Sequence, residues 1–192
     1  MSALSTLRFA TFRVPNQVFY QSALSAGIVN LKPLVPGHVL VIPRRVATRF
    51  RDLTADEVTD LFQSVHQISR VIEREYKAQA LNIALQDGPL AGQSVPHVHI
   101  HIIPRHAKDF EPIDDSASLD LGQEFADAYA SRPTRAERKA FEAEHRAKEQ
   151  GKVDAPFAGI EDERRPRAAD EMRDEAQRLS ELFPPENRVA FA

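Results

Sequence analysis

Residues 97–105 read His-Val-His-Ile-His-Ile-Ile-Pro-Arg, a stretch in which three histidines alternate with β-branched residues. β-Branched residues favour an extended backbone, and side chains two positions apart in a strand point to the same face. The spacing therefore predicts a strand that presents His97, His99 and His101 as one row about 13 Å long, at ~3.3 Å per residue. The intervening apolar residues are predicted to face a hydrophobic core.

Three kinds of chemistry are open to such a row of imidazoles. The rings could bind zinc, one neutral ring could attack an electrophile, or the row could be the polar face of an antiparallel strand. The preceding residues 86–96 contain two glycines and an Asp-Gly-Pro turn, together with the neutral donors Gln93 and Ser94. Asp87 is the only acid in this segment, and the chain contains no cysteine. Such surroundings favour a phosphate site over a zinc site, which usually adds carboxylate or thiolate ligands.

The rest of the first 105 residues predicts an α+β fold. A capping box of Thr54 and Glu57 begins a helix predicted to run from Thr54 to Lys77. Strands and one long helix in this order imply an antiparallel sheet of about five strands. The last strand before residues 86–96 is predicted to pair antiparallel with the histidine strand. The other predicted strands are Val18–Tyr20, Gly27–Leu31, His38–Ile42 and Leu81–Leu85. The apolar stripe predicted to bury the helix consists of Val58, Leu61, Phe62, Val65, Ile68 and Ile72.

The chain is predicted to divide into three parts. Residues 8–110 are predicted to form the catalytic domain. Residues 111–165 are predicted to form a charged, partly disordered insert, with a candidate helix from Thr134 to Gln150. Residues 166–184 are predicted to form a C-terminal helix that returns to the core. Its apolar stripe consists of Met172, Ala176, Leu179, Leu182 and Phe183.

Several segments together resemble one family. They are Asn30-Leu31-Lys32-Pro33, Gln86-Asp87-Gly88, Ala91-Gly92-Gln93 and the histidine stretch through Arg105. The chain from about Phe9 to Phe110 resembles the histidine triad superfamily of nucleotide-binding hydrolases and transferases. It is most similar to the fragile histidine triad branch, the dinucleoside triphosphate hydrolases. The resemblance implies the same α+β fold and a C-terminal helix.

The resemblance also implies roles for individual residues. His99 would be the nucleophile that takes the AMP group, His101 would contact the phosphates and the leaving group, and His97 would support the imidazole network. Because the third triad position is His101, where the transferase branch has glutamine, the resemblance implies a hydrolase. The residues implied to bind substrate are Asn30 at the ribose, His38 in the imidazole network, Gln86, Gly92, Gln93, Ser94 and Val95 at the phosphates, and His101. Gln86 is also predicted to take part in catalysis.

We therefore predict an enzyme that hydrolyses diadenosine triphosphate to AMP and ADP through a covalent nucleotidyl-histidine intermediate. The alternatives are a nucleotide-sensing adaptor whose substrate-bound form signals, a purine-nucleoside phosphoramidase of the same superfamily, and a metal-binding protein. No tightly bound cofactor is expected, and Mg²⁺ or Mn²⁺ is expected to arrive with the polyphosphate. Like other members of the superfamily, the chain is expected to form a homodimer.

Composition limits the other possibilities. The 192-residue chain has a formal net charge of −3, with +4 in residues 1–105 and −7 in residues 106–192. A mildly basic catalytic part suits a polyanionic substrate, but no basic stripe predicts nucleic-acid binding. No apolar run approaches the ~20 residues that a membrane span needs. The absence of cysteine is compatible with an intracellular setting. A cytoplasmic location is predicted, with the nucleus as a second compartment.

Overall fold

A computed structural model describes residues 7–107 and 166–191, all of which lie in one compact unit. The predicted insert 111–165 and its candidate helix lie outside the described residues. No helix within the described residues is long and apolar enough to cross a membrane.

The centre of the fold is a five-stranded antiparallel sheet, as the sequence predicted. In space the strands follow the order β3-β4-β5-β7-β6, so that the histidine strand β7 lies between β5 and β6. A separate two-stranded ribbon, β1 and β2, precedes the sheet. The strands are β1 Arg8–Phe9, β2 Phe12–Arg13, β3 Val18–Gln21, β4 Ser25–Val29, β5 Val39–Pro43, β6 Ala80–Leu85 and β7 Ile100–Arg105.

Helix α1 spans Ala55–Glu75 and begins where the capping box predicted. The Thr54 hydroxyl accepts the backbone N–H of Glu57, and the Glu57 carboxylate accepts the backbone N–H of Thr54. The Arg45 guanidinium donates to both carboxylate oxygens of Glu57 and, together with the cap, lowers the pKa of that carboxyl to about 2. Most of the predicted stripe is buried, but Phe62 is 48% exposed and meets Phe50 edge-on.

The two faces of the sheet are covered by different parts of the chain. Helices α1 and α2, the latter spanning Ala169–Ser180, cover one face, and the apolar side chains of both helices belong to the same core cluster. Leu7, Val14 and Val189 pack against the opposite face, on β-strand side chains such as Leu40. Because side chains alternate along a strand, Ile100 and Ile102 face the helices and His101 lies on the opposite face.

The histidine strand is shorter than the alternation predicted. β7 begins at Ile100, so only His101 of the three histidines lies within a strand. The backbone before it leaves the ladder because His97 N–H donates to the carbonyl of Val95 and Val98 N–H donates to the carbonyl of Ala47. The predicted strand is therefore too long at its start, but the alternation holds: Val98 and Ile100 belong to the core against the helices, and the rings of His99 and His101 are in contact.

Candidate active site

The ring of His99 is buried and its orientation is set by the backbone of the residue two positions earlier. His99 Nδ1 lies 2.7 Å from the carbonyl oxygen of His97, and the residue is 2% exposed. A carbonyl oxygen only accepts hydrogen bonds, so Nδ1 carries the proton. In the neutral ring the lone pair is then on Nε2, which is the tautomer that a nucleophile at Nε2 requires.

A second pair of rings forms a directed chain of hydrogen bonds. The backbone N–H of Leu34 donates to Nδ1 of His38 at 3.1 Å, which places the proton of the neutral ring on Nε2. His38 Nε2 lies 2.9 Å from Nδ1 of His101 and donates to it. His101 therefore carries its own proton on Nε2 and can donate from that nitrogen. The rings of His99 and His101 meet edge-to-face with centroids 4.9 Å apart, which makes the two rings neighbours.

Asn30 lies beside the His38 ring. It follows the last residue of β4, and its side-chain Oδ1 accepts the backbone N–H of Lys32 at 3.0 Å. This bond directs the amide nitrogen Nδ2 toward His38, 3.2 Å from Nε2. The structure thus brings Asn30 and His38, from one loop, together with His101, which is 63 residues further along the chain than His38.

His97 has a different environment from the other two triad histidines. Its Nδ1 accepts the backbone N–H of Ala10 at 2.9 Å, and its Nε2 donates to the carbonyl of Pro43 at 3.0 Å. The residue is fully buried, and burial lowers the pKa of its imidazole to about 4. Both nitrogens are bound to the backbone, which fixes the orientation of the neutral ring.

The side chain of Gln93 connects three segments around His99. Its Oε1 accepts the backbone N–H of Gly88 at 3.0 Å, and its Nε2 donates to the carbonyls of Thr48 and His97 at 3.0 and 3.2 Å. Its backbone N–H donates to the carbonyl of Gly88. Every N–H of Gln93 therefore donates to a carbonyl of the protein. The resemblance had implied instead that this residue contacts the phosphates. The carbonyl of His97 accepts from both Gln93 and His99.

Other residues of the same loop are available to a ligand. The side-chain amide of Gln86 lies against Gly92. A Cβ added at that glycine would come within 2.7 Å of Gln86 Nε2, so a larger residue would displace the amide. Gly92 also has a φ of +87°, in the left-handed region that glycine tolerates best. The backbone N–H groups of Ser94 and Val95 donate no hydrogen bond within the described part of the chain.

An ion pair fastens the start of this loop. The Asp87 carboxylate accepts from Nε and an Nη of Arg49 at 3.0 and 3.2 Å and from the backbone N–H of Phe50 at 2.8 Å. Gly88 follows with a φ of +106°, and a Cβ there would come within 2.9 Å of the Arg49 guanidinium carbon. Asp87, the acid near the triad, is therefore paired with Arg49 and holds the start of the loop.

The N-terminal ribbon contributes two residues that the sequence analysis missed. The ring of Phe9 meets His99 edge-to-face at 5.3 Å between centroids and lies tilted against His97 at 5.5 Å. Ala10, which donates to His97, has a φ of +53°, an uncommon value for a residue with a side chain. Nothing local in Arg8–Arg13 signals either contact, because both depend on where the ribbon packs.

Comparison with known proteins gives the family of the chain. The model of the HIT domain family matches residues 11–108, about half of the chain. The chain belongs to the HIT domain family. A bis(5'-nucleosyl)-tetraphosphatase (asymmetrical) from Schizosaccharomyces pombe is 44% identical over 188 residues, covering 92% of this chain and 94% of that relative.

Two further matches belong to the same group of HIT proteins. The bifunctional bis(5'-adenosyl)-triphosphatase/adenylylsulfatase FHIT of Arabidopsis thaliana is 50% identical over 115 residues, which cover 59% of this chain and 64% of the relative. The crystal structure of the C. elegans NitFhit protein superposes with a TM-score of 0.64 at 31% identity, covering 95% of this chain and 31% of that one. Family and fold therefore agree with the predicted resemblance.

In this HIT chain the neutral state of His97 should make stability depend on pH. His97 has a folded pKa of about 4 against an ordinary value near 6.5, so the unfolded state binds a proton first as the pH falls. The contribution of neutral His97 to the free energy of unfolding is fully present above pH 6.5. It is lost as the pH falls from 6.5 to about 4. Between pH 7 and 5 we expect the free energy of unfolding to fall by about 2 kcal/mol through this group, as measured by urea titration.

A His97→Gln variant, which keeps one donor and one acceptor, should lack this component of the pH dependence. Nuclear magnetic resonance of the His97 ring checks the cause directly. A ring that titrates near pH 6.5 in the folded protein would contradict the prediction.

Proposed function

We propose that the chain hydrolyses dinucleoside polyphosphates, with diadenosine triphosphate as a substrate that yields AMP and ADP. The observation that carries this proposal is the bond from His99 Nδ1–H to the carbonyl of His97, which leaves the lone pair of the neutral ring on Nε2. The names of the relatives from Schizosaccharomyces pombe and Arabidopsis support the substrate class.

The proposed reaction has two displacements at the α-phosphorus. The Nε2 lone pair of His99 forms a bond to phosphorus, and the bond from phosphorus to the bridging oxygen breaks as ADP leaves as an anion that accepts a hydrogen bond from His101 Nε2–H. The resulting N-phosphoryl ring keeps its Nδ1–H and is cationic, so the carbonyl of His97 stabilises it. Water then attacks phosphorus and loses one proton to solvent, and the P–N bond breaks, which returns the electron pair to His99 Nε2 and releases AMP.

The phosphate donors are proposed from the loop 86–95. The amide of Gln86 and the backbone N–H groups of Ser94 and Val95 supply neutral donors for the developing negative charge. One such donor is typically worth ~3–4 kcal/mol of transition-state stabilisation. We assign no phosphate contact to the side chain of Gln93, because its amide bonds hold the loop.

A divalent cation is proposed to come with the substrate. His97 uses both ring nitrogens and His99 uses one in bonds to the backbone, so the triad rings do not form a ready set of metal ligands. No group of three or more His, Cys, Asp or Glu side chains suited to a metal occurs among residues 7–107 and 166–191. Phosphate oxygens are good ligands for Mg²⁺ or Mn²⁺, which would neutralise part of the substrate charge.

Rapid acid-free quenching of the enzyme during turnover of diadenosine triphosphate tests the proposal. Peptide mass spectrometry should find one AMP group on His99. Parallel assays with diadenosine tetraphosphate and adenosine phosphoramidate distinguish the tetraphosphatase and phosphoramidase activities. If phosphoramidate is cleaved and neither dinucleotide is, the proposed function is wrong.

A homodimer is proposed at the open edge of the sheet. Among the strands of residues 7–107 and 166–191, β6 pairs with β7 only, and its Ile83 is 49% exposed although it lies opposite the buried Ile102. Phe62 on α1 is exposed to a similar extent. A second copy would cover both the apolar side chains and the strand edge.

Sedimentation should give a dimer for the wild type and a monomer for Ile83→Lys, while Val46→Lys, at another exposed apolar residue, remains dimeric. A wild type that sediments as a monomer at micromolar concentration would contradict the dimer.

A further inference from the structure

Glu175 on helix α2 bonds to two side chains of residues that contact the loop between β4 and β5. Glu175 is half-way along the helix, and its side chain is 14% exposed. One carboxylate oxygen accepts the hydroxyl of Tyr76 at 2.6 Å, and the other accepts an Nη of Arg167 at 2.6 Å. Burial raises the pKa of the Tyr76 phenol, so its hydroxyl stays protonated and donates.

The two partners of Glu175 contact opposite ends of one loop, residues 30–38. The backbone N–H of Arg167 donates to the carbonyl of Leu31 at 3.0 Å, next to Asn30. The ring of Tyr76 lies directly on Gly37, since a Cβ at that position would come within 2.6 Å of a ring atom. Gly37 has a φ of +84° and immediately precedes His38.

We propose that Glu175 is a positioning residue of the active site, which acts through Arg167 and Tyr76 on the loop 30–38. This inference rests on the proposed function for its kinetic consequence. The loop carries Asn30 at its start and His38 at its end, and His38 donates to His101 at 2.9 Å. A small rotation of the loop would lengthen that bond and loosen the orientation of His101.

The charge of Glu175 matters as well as its shape. Arg167 is mostly buried, and its Nε and second Nη have no hydrogen-bond partner within the described part of the chain. Glu175 is therefore the acceptor that holds this guanidinium. On the other side of Tyr76, Arg178 donates to the phenol oxygen at 3.0 Å, so the hydroxyl is fixed between a carboxylate and a guanidinium.

The experiment compares Glu175→Gln with two controls on the same helix. Glu175→Gln keeps the size of the side chain and removes the charge that holds Arg167. Asp174→Asn makes the same change in net charge at an exposed neighbour. Ser180→Ala removes a buried bond to the backbone of Val189, 2.8 Å long, away from the loop, and so lowers stability alone.

We expect Glu175→Gln to lower kcat for diadenosine triphosphate about tenfold, the size expected for weakening one hydrogen bond to a charged group. ¹⁵N resonances of the His38 and His101 rings should shift in this variant, because they report which nitrogen carries the proton. Both controls should keep kcat and both ring spectra, and Ser180→Ala should lower Tm.

Tyr76→Phe provides a milder variant in case Glu175→Gln does not fold. It keeps the ring on Gly37, removes only the hydroxyl, and should shift the His38 resonances in the same direction. The proposal is overturned if either folded variant resembles Ser180→Ala, with a lower Tm but unchanged kcat and ring spectra. The spectra need no substrate, so they test the coupling even if the proposed reaction fails.

Discussion

Replacement of His99 by asparagine is expected to lower the turnover of diadenosine triphosphate by a factor on the order of 10⁴ or more. Asparagine can still donate to the carbonyl of His97, but it has no lone pair on nitrogen with which to attack phosphorus. The amount of AMP bound to the protein in a quenched reaction should fall to background. Affinity for a non-hydrolysable analogue should change little, because the loop 86–95 and the loop 30–38 are intact.

The matched control is His66→Asn, at an exposed position of α1. This variant should keep the wild-type kcat and KM. Wild-type turnover by the His99 variant would contradict the assignment of the nucleophile. A large loss of analogue binding with little further loss of turnover would instead identify His99 as a binding residue.

Replacement of Gln93 by methionine is expected to reduce both stability and catalysis. Methionine fills a similar volume but leaves the Gly88 N–H and the carbonyls of Thr48 and His97 without the partner they have in the wild type. An unsatisfied buried group costs ~1–3 kcal/mol, so the free energy of unfolding should fall by roughly 2–4 kcal/mol. Because the carbonyl of His97 also orients His99, kcat should fall by about 10²-fold.

Gln67→Met is the control for this substitution. Gln67 accepts the Tyr20 hydroxyl at 3.2 Å on α1, away from the histidines, so this variant should lose some stability and keep kcat. Urea titration and steady-state kinetics measure the two effects separately. If Gln93→Met loses stability but keeps kcat, Gln93 holds the loop without positioning His99.

The elements that could be predicted are those whose signals are local. The capping box of Thr54 and Glu57 began α1 where expected, because both halves of the motif lie within one turn of the chain. β6 and β7 pair antiparallel as predicted, since the one loop that joins them, residues 86–99, contains turn residues. The exposure of Phe62 could not be predicted, because its position on the stripe does not reveal how far the sheet extends beneath it.

The histidine pattern indicated a site but could not divide the roles among the three rings. The alternation predicted one continuous strand, but in the structure the strand begins only at Ile100, because Val98 N–H finds its acceptor at Ala47, far away in sequence. The contacts of Phe9 and Ala10 depend in the same way on tertiary packing, because the ribbon of β1 and β2 is far from the histidines in sequence.

Sequence by itself determined the family, the α+β sheet and the identity of the three imidazoles, because each depends on residue type and on spacing within short segments. Only the tertiary structure decided the protonation of those imidazoles. His97 is neutral between two backbone groups, His99 has its lone pair on Nε2, and His101 has its proton there because His38 donates to its other nitrogen. A tautomer is set by the donor or acceptor that each nitrogen meets, and those partners come from segments that only folding brings together.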